Sequence, residues 1–419
     1  MKIVYMLHDG MNYNGGPAVN AVRLLPELQQ RGHEVTAIAL YYDFPSNAKH
    51  LKENGISTIT KQYPKYSEDL VRWILQKVKS INPDVFVPNI IPQGGYAARW
   101  VKEAGIPTIM THRSPDGFNR ANAQVFATGD RKWACSGLVC VSEYLKDEVL
   151  AHKHVHPEVA VIPSGVPNSN YISDQSGTNL RIAYAGRLVE KQKQIIALIT
   201  SFTEIARHCP KVEFTIIGDG KERERIEKIV KEAGFSSRFF FTGRLIGDNY
   251  HQELARQHAI VLMSDYEGIP GALMDGMMCG LIPITFRTEG IEELVQDKVN
   301  GFVINNRSQA LLHCIHLIEE NLVLRKKLSQ EARRCVVGNY SLPEAASRWE
   351  SLFISLIAKS GKRKQVKIPS MIHLPNVPPA IQPGDRRRMD VIKSPRKIAQ
   401  VLRHYGGEIR KEWHQLTKK

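Results

Sequence analysis

Residues 259–287 read AIVLMSDYEGIPGALMDGMMCGLIPITFR. The stretch opens on a short apolar run, AIVLMSD, and closes on another, IPITFR. Apolar runs of this length, bounded by turn residues, read as strands buried on both faces. Between them the chain predicts a helix beginning near Pro270, because proline is favoured in the first helical turn. Strand, helix and strand in so short a span form a parallel pair with a crossover. Two carboxylates, Glu267 and Asp275, stand inside the unit, one before the helix start and one within the helix.

Upstream, RIAYAGR, EFTIIGDG and RFFFTGR repeat the pattern, with helical segments between them. A second series starts at the N-terminus. KIVYML is a strand, HDGMNYNGGP a polar glycine loop, AVNAVRLLPELQQRGH a helix and EVTAIAL a strand. DVFVPNI, PTIMTHR, GLVCVSE and VAVIPSG continue it. The Ser-, Asn- and Gly-rich stretch 165–180 reads as the link between two halves. The fold class is therefore α/β: two Rossmann-like parallel-sheet domains, residues 1–165 and 166–340, facing a cleft. SLPEAASRWESLFISLIAK, about 341–359, is a further helix.

Composition narrows the function. The 419 residues are 42% hydrophobic and 24% charged, as in a soluble globular protein with two cores. No apolar run is long enough for a membrane span, and MKIVYMLHDG turns polar too early for a signal peptide. The six cysteines form no CxxC pair and no close metal-ligand cluster, which suits a reducing cytoplasm. HKHVH places His152, His154 and His156 on one face if that segment is a strand, but no acid or cysteine supports them as a metal site. Residues 361–419 carry eight Lys and seven Arg against two Asp and two Glu, so +11 of the net +15 lies in a tail. The body is nearly balanced, which argues against nucleic acid as its partner. The tail, 360–419, starts Pro-rich and extended. Its end has apolar residues at helical spacing (Ile398, Val401, Leu402, Tyr405, Ile409, Trp413, Leu416), and the tail is a candidate for docking on an anionic membrane surface, or equally for packing on the body or on a partner.

Open α/β sheets bind ligands beyond the C-terminal ends of their strands, so the loops there are the candidate sites. Gly15 and Gly16 precede a helix N-terminus that suits an anion. His112 ends a strand. Arg187 follows a glycine at a strand end, with Lys191 and Lys193 close behind, a set that could grip a diphosphate. Gly218 and Gly220, and Arg244, lie at two further strand ends. The backbone of Gly268, Ile269, Pro270 and Gly271 would offer N–H groups to phosphate oxygens. Glu267 and Asp275 would accept hydrogen bonds from sugar hydroxyls. Each has a plain alternative, respectively a flexible turn, a structural histidine, a solvated basic loop and helix-surface acids. No Asp-x-Asp pair occurs, so no divalent metal and no cofactor is expected.

The ordered set NGGPAVNAVRLLPELQQRGHEVT, THR, CVSEYLKDEV, YAGRLVEKQKQI, FTIIGDGKERERIEKIV and SDYEGIPGALMDGMMCGLIPI resembles the GT-B glycosyltransferases of family 4 across residues 1 to 358. The resemblance implies a retaining, metal-independent transfer from a nucleotide diphospho-sugar (UDP- or GDP-sugar) to a hydroxyl of a glycan or lipid-linked glycan. It implies a bacterial lipopolysaccharide, capsule or exopolysaccharide pathway, on the cytoplasmic side and peripheral to the membrane. By the same resemblance Arg187 and Lys193 grip the diphosphate, Glu267 contacts the transferred sugar, and His112 lies near the sugar or acceptor. Gln192 stands where many members have lysine. Asp275 replaces the usual ribose-binding glutamate and is one methylene shorter. The C-terminal helix is expected to cross back to the first domain. Rival readings are a non-catalytic member of the same fold, an epimerase, and nucleic-acid binding through the tail.

Overall fold

The computed structural model describes residues 1–10 and 15–388. The first domain runs β1 (Lys2–Asp9), α1 (Gly16–Gln30), β2 (Glu34–Tyr41), α2 (Ser46–Glu53), β3 (Ser57–Gln62), α3 (Ser67–Ile81) and β4 (Val85–Asn89). It continues through α4 (Pro92–Glu103), β5 (Thr108–His112), α5 (Gly117–Ala123), β6 (Gly137–Cys140), α6 (Glu143–Leu150) and β7 (Glu158–Val161). The second runs β8 (Leu180–Ala185), α7 (Glu190–Lys193), α8 (Ile195–His208), β9 (Val212–Ile217), α9 (Arg223–Glu232), β10 (Phe239–Gly243) and α10 (Gly247–Ala255). Then come β11 (Ala259–Leu262), α11 (Gly271–Met278), β12 (Ile282–Phe286), β13 (Phe302–Ile304), α12 (Gln309–Glu320), α13 (Leu322–Asn339) and α14 (Leu342–Ala358).

The strands form two sheets, ordered β3-β2-β1-β4-β5-β6-β7 and β10-β9-β8-β11-β12-β13, and every pairing is parallel. The order reverses between β1 and β4 and again between β8 and β11, which opens a crevice at the C-terminal strand ends of each sheet. Ile3 to Leu7 of β1 are all buried, as an unbroken apolar run requires. The pattern did not announce β3 and β13. STITKQ is a half-buried edge strand with mixed polarity, and FVI is three residues long.

The chain crosses between the domains twice, side by side: Val166 and Ser341 form a parallel bridge. Helix α14 then returns to the first domain. Its Trp349, Phe353 and Leu356 join the cluster formed by Ile3, Tyr5 and Leu25, with Trp349 edge-on to Tyr5 at 6.2 Å. Glu350 fixes the contact by accepting from Arg31 and facing His33, each at 2.8 Å. The 165–180 link is also packed. Gln175 is buried and donates to the carbonyls of His258 and Gly280.

One expectation is corrected. His152, His154 and His156 lie in the turn between α6 and β7, not on a strand, so alternation does not align them. The first half of the tail is laid on the first domain. Val366, Ile372 and Ile381 are buried in its core, and Arg72 donates to the carbonyls of Pro369 and Ser370. Buried Asp385 accepts from Tyr96 at 3.0 Å and Arg387 at 2.6 Å. The tail's helix, and Met11 to Asn14 of the glycine loop, lie outside the described residues. Among the described residues, no helix is long and apolar enough to cross a membrane.

Candidate active site

The two crevices face each other. Gly268, after β11, packs so tightly on the end of β5 that a Cβ there would run into the carbonyl oxygen of Arg113. Only glycine permits this approach. Gly218 and Gly220 have a related role within the second domain. A Cβ on Gly218 would strike the Gly186 carbonyl oxygen, and one on Gly220 would lie 2.5 Å from that of Leu188. They let one strand-end loop pass against another.

The carboxylate ahead of α11 is held by the basic loop. Lys193 Nζ lies 2.5 Å from Glu267 Oε1, with both side chains nearly buried (13% and 12% exposed). The register is set by Gln194, whose left-handed φ of 49° ends α7 and turns the chain into α8. Lys191 points elsewhere and is exposed. Gln192, the departure from the usual lysine, ties the loops together. Its Oε1 accepts from Arg187 at 2.9 Å, its Nε2 donates to the Tyr266 carbonyl, and its own carbonyl accepts from the Asp265 N–H. Below, the Tyr184 hydroxyl donates to the Arg187 carbonyl at 2.8 Å, and burial raises its pKa before the charge of Glu267 adds to the shift. Arg187 itself is exposed, with its guanidinium held at one nitrogen by Gln192. Arg244 is exposed, with no ion-pair partner among the described residues.

Helices α1 and α11 both begin at this crevice, and neither has a side-chain cap. The cap positions are Gly15 and Pro270. The first N–H groups of a helix have no partner within it, and an uncapped end attracts an anion. Gly16, Gly271 and the buried Ile269 complete these turns.

His112 is 1% exposed, and neither ring nitrogen has a hydrogen-bond partner. Its nearest carboxylate, Glu148, is at 3.9 Å, beyond hydrogen-bond range. Burial pushes its pKa below the ordinary value, with Glu148 pulling the other way. Arg120 clamps Glu148 through two bonds, 2.9 and 2.7 Å, and holds its pKa down. A neutral imidazole with unmet donor and acceptor capacity could bond a hydroxyl.

Asp275 differs most from expectation. It does not stand open in the crevice. It is buried, and Arg23 of α1 donates from Nη2 to its Oδ2 at 3.0 Å, while Nη1 forms an ion pair with Oδ1 at 3.0 Å that lacks hydrogen-bond geometry, so Oδ1 has no hydrogen-bond partner among the described residues. Tyr250 lies against it, its pKa raised first by burial and then by this carboxylate. Arg23 carries no local signal, because its partner is 252 positions away. Tyr184 and Glu148 were also missed: Tyr184 supports the Arg187 carbonyl from three positions upstream without any motif of its own, and Glu148 is brought to His112 by the fold. Among the described residues, the one grouping of three metal-capable side chains is Cys209, His316 and Glu319, at the ends of α8 and α12 and not at the crevice.

The Glycosyl transferases group 1 family matches residues 172–335, and Glycosyltransferase Family 4 matches residues 14–169. The chain is 23% identical over 380 residues to the N-acetyl-alpha-D-glucosaminyl L-malate synthase of Bacillus anthracis, covering 83% of this chain and 96% of that one. It is 23% identical over 395 residues to the alpha-monoglucosyldiacylglycerol synthase of Acholeplasma laidlawii, covering 84% and 96%. Among solved structures, HepE of Anabaena in complex with UDP and glucose superposes with a TM-score of 0.70 at 17% identity, over 85% of this chain and all of that one. The two facing parallel sheets, the two family matches in series and this likeness of fold agree: the chain belongs to the GT-B glycosyltransferases of family 4.

Proposed function

We propose that this glycosyltransferase takes its sugar from a nucleotide diphospho-sugar and transfers it, with retention of configuration and without a divalent metal, to a hydroxyl of a glycan or lipid-linked glycan. The contact between Lys193 and Glu267, beside Arg187 and the uncapped start of α11, carries the reading. An ammonium has three donors. One is engaged by Glu267, leaving Lys193 able to meet a diphosphate while it holds Glu267 against the sugar.

In the reaction, the bond between the anomeric carbon and the diphosphate oxygen breaks, and its electron pair stays on the diphosphate. The acceptor oxygen bonds to the anomeric carbon on the face the diphosphate leaves, and its proton passes to the departing diphosphate. Arg187, Lys193 and the N–H groups at Gly268–Gly271 would neutralise the growing charge. Groups preorganised in this way are worth about 100- to 1000-fold in rate each. His112 would bond a hydroxyl near the reacting carbon. The lack of an Asp-x-Asp pair in the sequence is in keeping with charge neutralisation by cations and helix ends.

HepE, with UDP and glucose, makes a uridine nucleotide the first donor to try. The diacylglycerol relative favours a membrane-borne acceptor in surface polysaccharide or glycolipid synthesis. The tail's first half is occupied by packing, so membrane contact is assigned to residues 389–419, with a net charge of +5.

The test is a screen of UDP- and GDP-sugars by thermal shift, followed by slow hydrolysis of the best binder in EDTA. Stabilisation by one donor class, with chelator-resistant release of a sugar first formed in the donor's anomeric configuration, is expected. Activity lost to EDTA and restored by manganese would overturn the metal-free mechanism. An inverted product would overturn retention.

A further inference from the structure

The C-terminal edge of the first sheet carries a second feature that the donor chemistry does not use. His8 is the last residue but one of β1, Tyr42 directly follows β2 and Tyr63 directly follows β3, so parallel pairing brings all three rings to the crevice edge. Tyr42 and Tyr63 are stacked, centroids 4.4 Å apart and planes 16° apart. His8 sits edge-on to Tyr42 at 5.8 Å, and its Nδ1 is 3.0 Å from the Tyr63 hydroxyl. One face of Tyr42 is covered by Tyr63, yet the residue is 59% exposed, and Phe44 two positions on is 51% exposed.

Exposed aromatics on a loose loop would mean little. This loop is fixed from beneath. Asp9, 1% exposed, accepts from the N–H groups of Gly10, Asn47 and Ala48 and from the Asn47 side-chain amide, all within 2.9 Å. Gln62 donates to the Tyr42 carbonyl at 3.0 Å. A buried carboxylate with four donors makes the segment rigid before any ligand arrives, and rigidity removes an ordering cost from binding.

We propose that this Tyr42–Tyr63 stack, with His8 and Phe44, is a carbohydrate platform that receives a pyranose ring of the acceptor. An aromatic face is electron-rich and attracts the C–H groups on the apolar face of a sugar. The rim supplies hydroxyl, imidazole and carboxylate groups for the sugar's edge. Burial keeps His8 more readily neutral than a free histidine, against the charges of Asp9 and Asp43. The charged groups that act on His8 at this rim are the acids Asp9 and Asp43, which suits a neutral sugar better than an anionic lipid headgroup. The position fits an acceptor site, since it lies on the domain opposite Lys193 and Glu267. Calling the sugar an acceptor rests on the glycosyl-transfer reading. The platform itself does not.

The experiment is saturation-transfer NMR on the full chain with methyl glucoside, methyl galactoside and methyl N-acetylglucosaminide, beside a titration with UDP and GDP. Transfer to ring C–H protons of at least one glycoside is expected. Tyr42→Ala should weaken it by about three- to tenfold, the scale of one aromatic contact, and Tyr42→Trp should retain it. Nucleotide affinity should be unchanged in both variants. No transfer to any of the three glycosides, or transfer unaltered in a folded Tyr42→Ala chain, overturns the platform. Failure of UDP and GDP to bind would instead overturn the donor reading and leave the platform standing.

Discussion

The two sheets turn the same edge to one crevice and equip it differently. The second domain's loops carry charge: Arg187, Lys193 and Glu267 surround an uncapped helix start. The first domain's loops carry neutral and aromatic groups: buried His112 with no bonded partner, and the stacked tyrosines. The difference follows the two halves of a transfer reaction. A departing diphosphate accumulates negative charge and needs fixed positive groups. An incoming hydroxyl needs orientation and a surface for the sugar that bears it. One architecture, used twice, is thus specialised by what stands at the strand ends.

One cation crosses this division. Arg23, from the first domain and itself half-buried, pairs with the buried Asp275 of the second. Removing one partner of a buried ion pair typically costs about 3–5 kcal/mol, because the other charge stays behind in low dielectric. Arg23→Met should therefore lower the unfolding free energy by about that amount in urea titration. The paired change Arg23→Met with Asp275→Leu should recover most of it. A loss under about 1 kcal/mol for the single variant would mean that Asp275 is hydrated and faces the open crevice, as the family resemblance implies for a ribose contact.

That residue also marks where sequence reading stops. The parallel sheets were legible because strands buried on both faces are unbroken apolar runs, as in AIVLMSD and RIAYAGR. β3 was illegible because an edge strand half in water mixes polarities. Lys193 and Glu267 were legible as separate motifs, and the fold brings them within 2.5 Å. Arg23 was illegible because nothing within one helix says which residue of another domain will face it. The tyrosine platform was hidden likewise. Tyr42 and Tyr63 are 21 positions apart and meet only because β2 and β3 lie adjacent and parallel. Gly218, read as allowing a ligand close, also lets two loops cross, and a glycine motif alone does not distinguish the two.

The sharpest test of the charged edge is rate. Arg187→Ala or Lys193→Ala should each lower transfer by about 100- to 1000-fold, or about 2.7–4 kcal/mol, in chains that still melt cooperatively. His112→Gln on the opposite edge should slow turnover while leaving nucleotide affinity within about twofold, since it meets no phosphate. Isothermal titration with UDP or GDP separates the two edges. Equal losses of nucleotide affinity in Lys193→Ala and His112→Gln would abolish the division of labour.

Where the edges touch, the expected effect is smaller. Gly268→Ala inserts a methyl group against the Arg113 carbonyl oxygen, a backbone atom that can yield only if the domains shift. Overpacking of this kind costs about 1–3 kcal/mol. The variant should be destabilised by that amount and should bind nucleotide more weakly, because the N–H groups at the start of α11 move with the loop. Unchanged melting and unchanged binding would show that the edges are not in fixed contact in solution.

The smallest effect contrasts the front edge of the second sheet with its back. His258 lies just before β11, at the end of the sheet away from the crevice, and its Nδ1 accepts the Arg181 N–H at 2.9 Å. Burial, then Arg181 and Arg325, push its pKa down to about 4 from an ordinary 6.5. Unfolded, the ring takes a proton as pH falls below 6.5. Folded, it does not until about pH 4. The unfolded chain therefore binds more protons across that window, and stability falls with falling pH by at most about 1.4 kcal/mol per unit for this one group. His8, His112 and His251, whose pKa values are also lowered by burial, add to the slope near its upper end. His258→Asn can still accept from Arg181 but cannot titrate. Its unfolding free energy should depend less steeply on pH below about 6, and its affinity for nucleotide should match the parent at every pH. A slope identical to the parent's would place the proton elsewhere. A changed nucleotide affinity would mean that the cations at the back of this domain are coupled to those at the crevice.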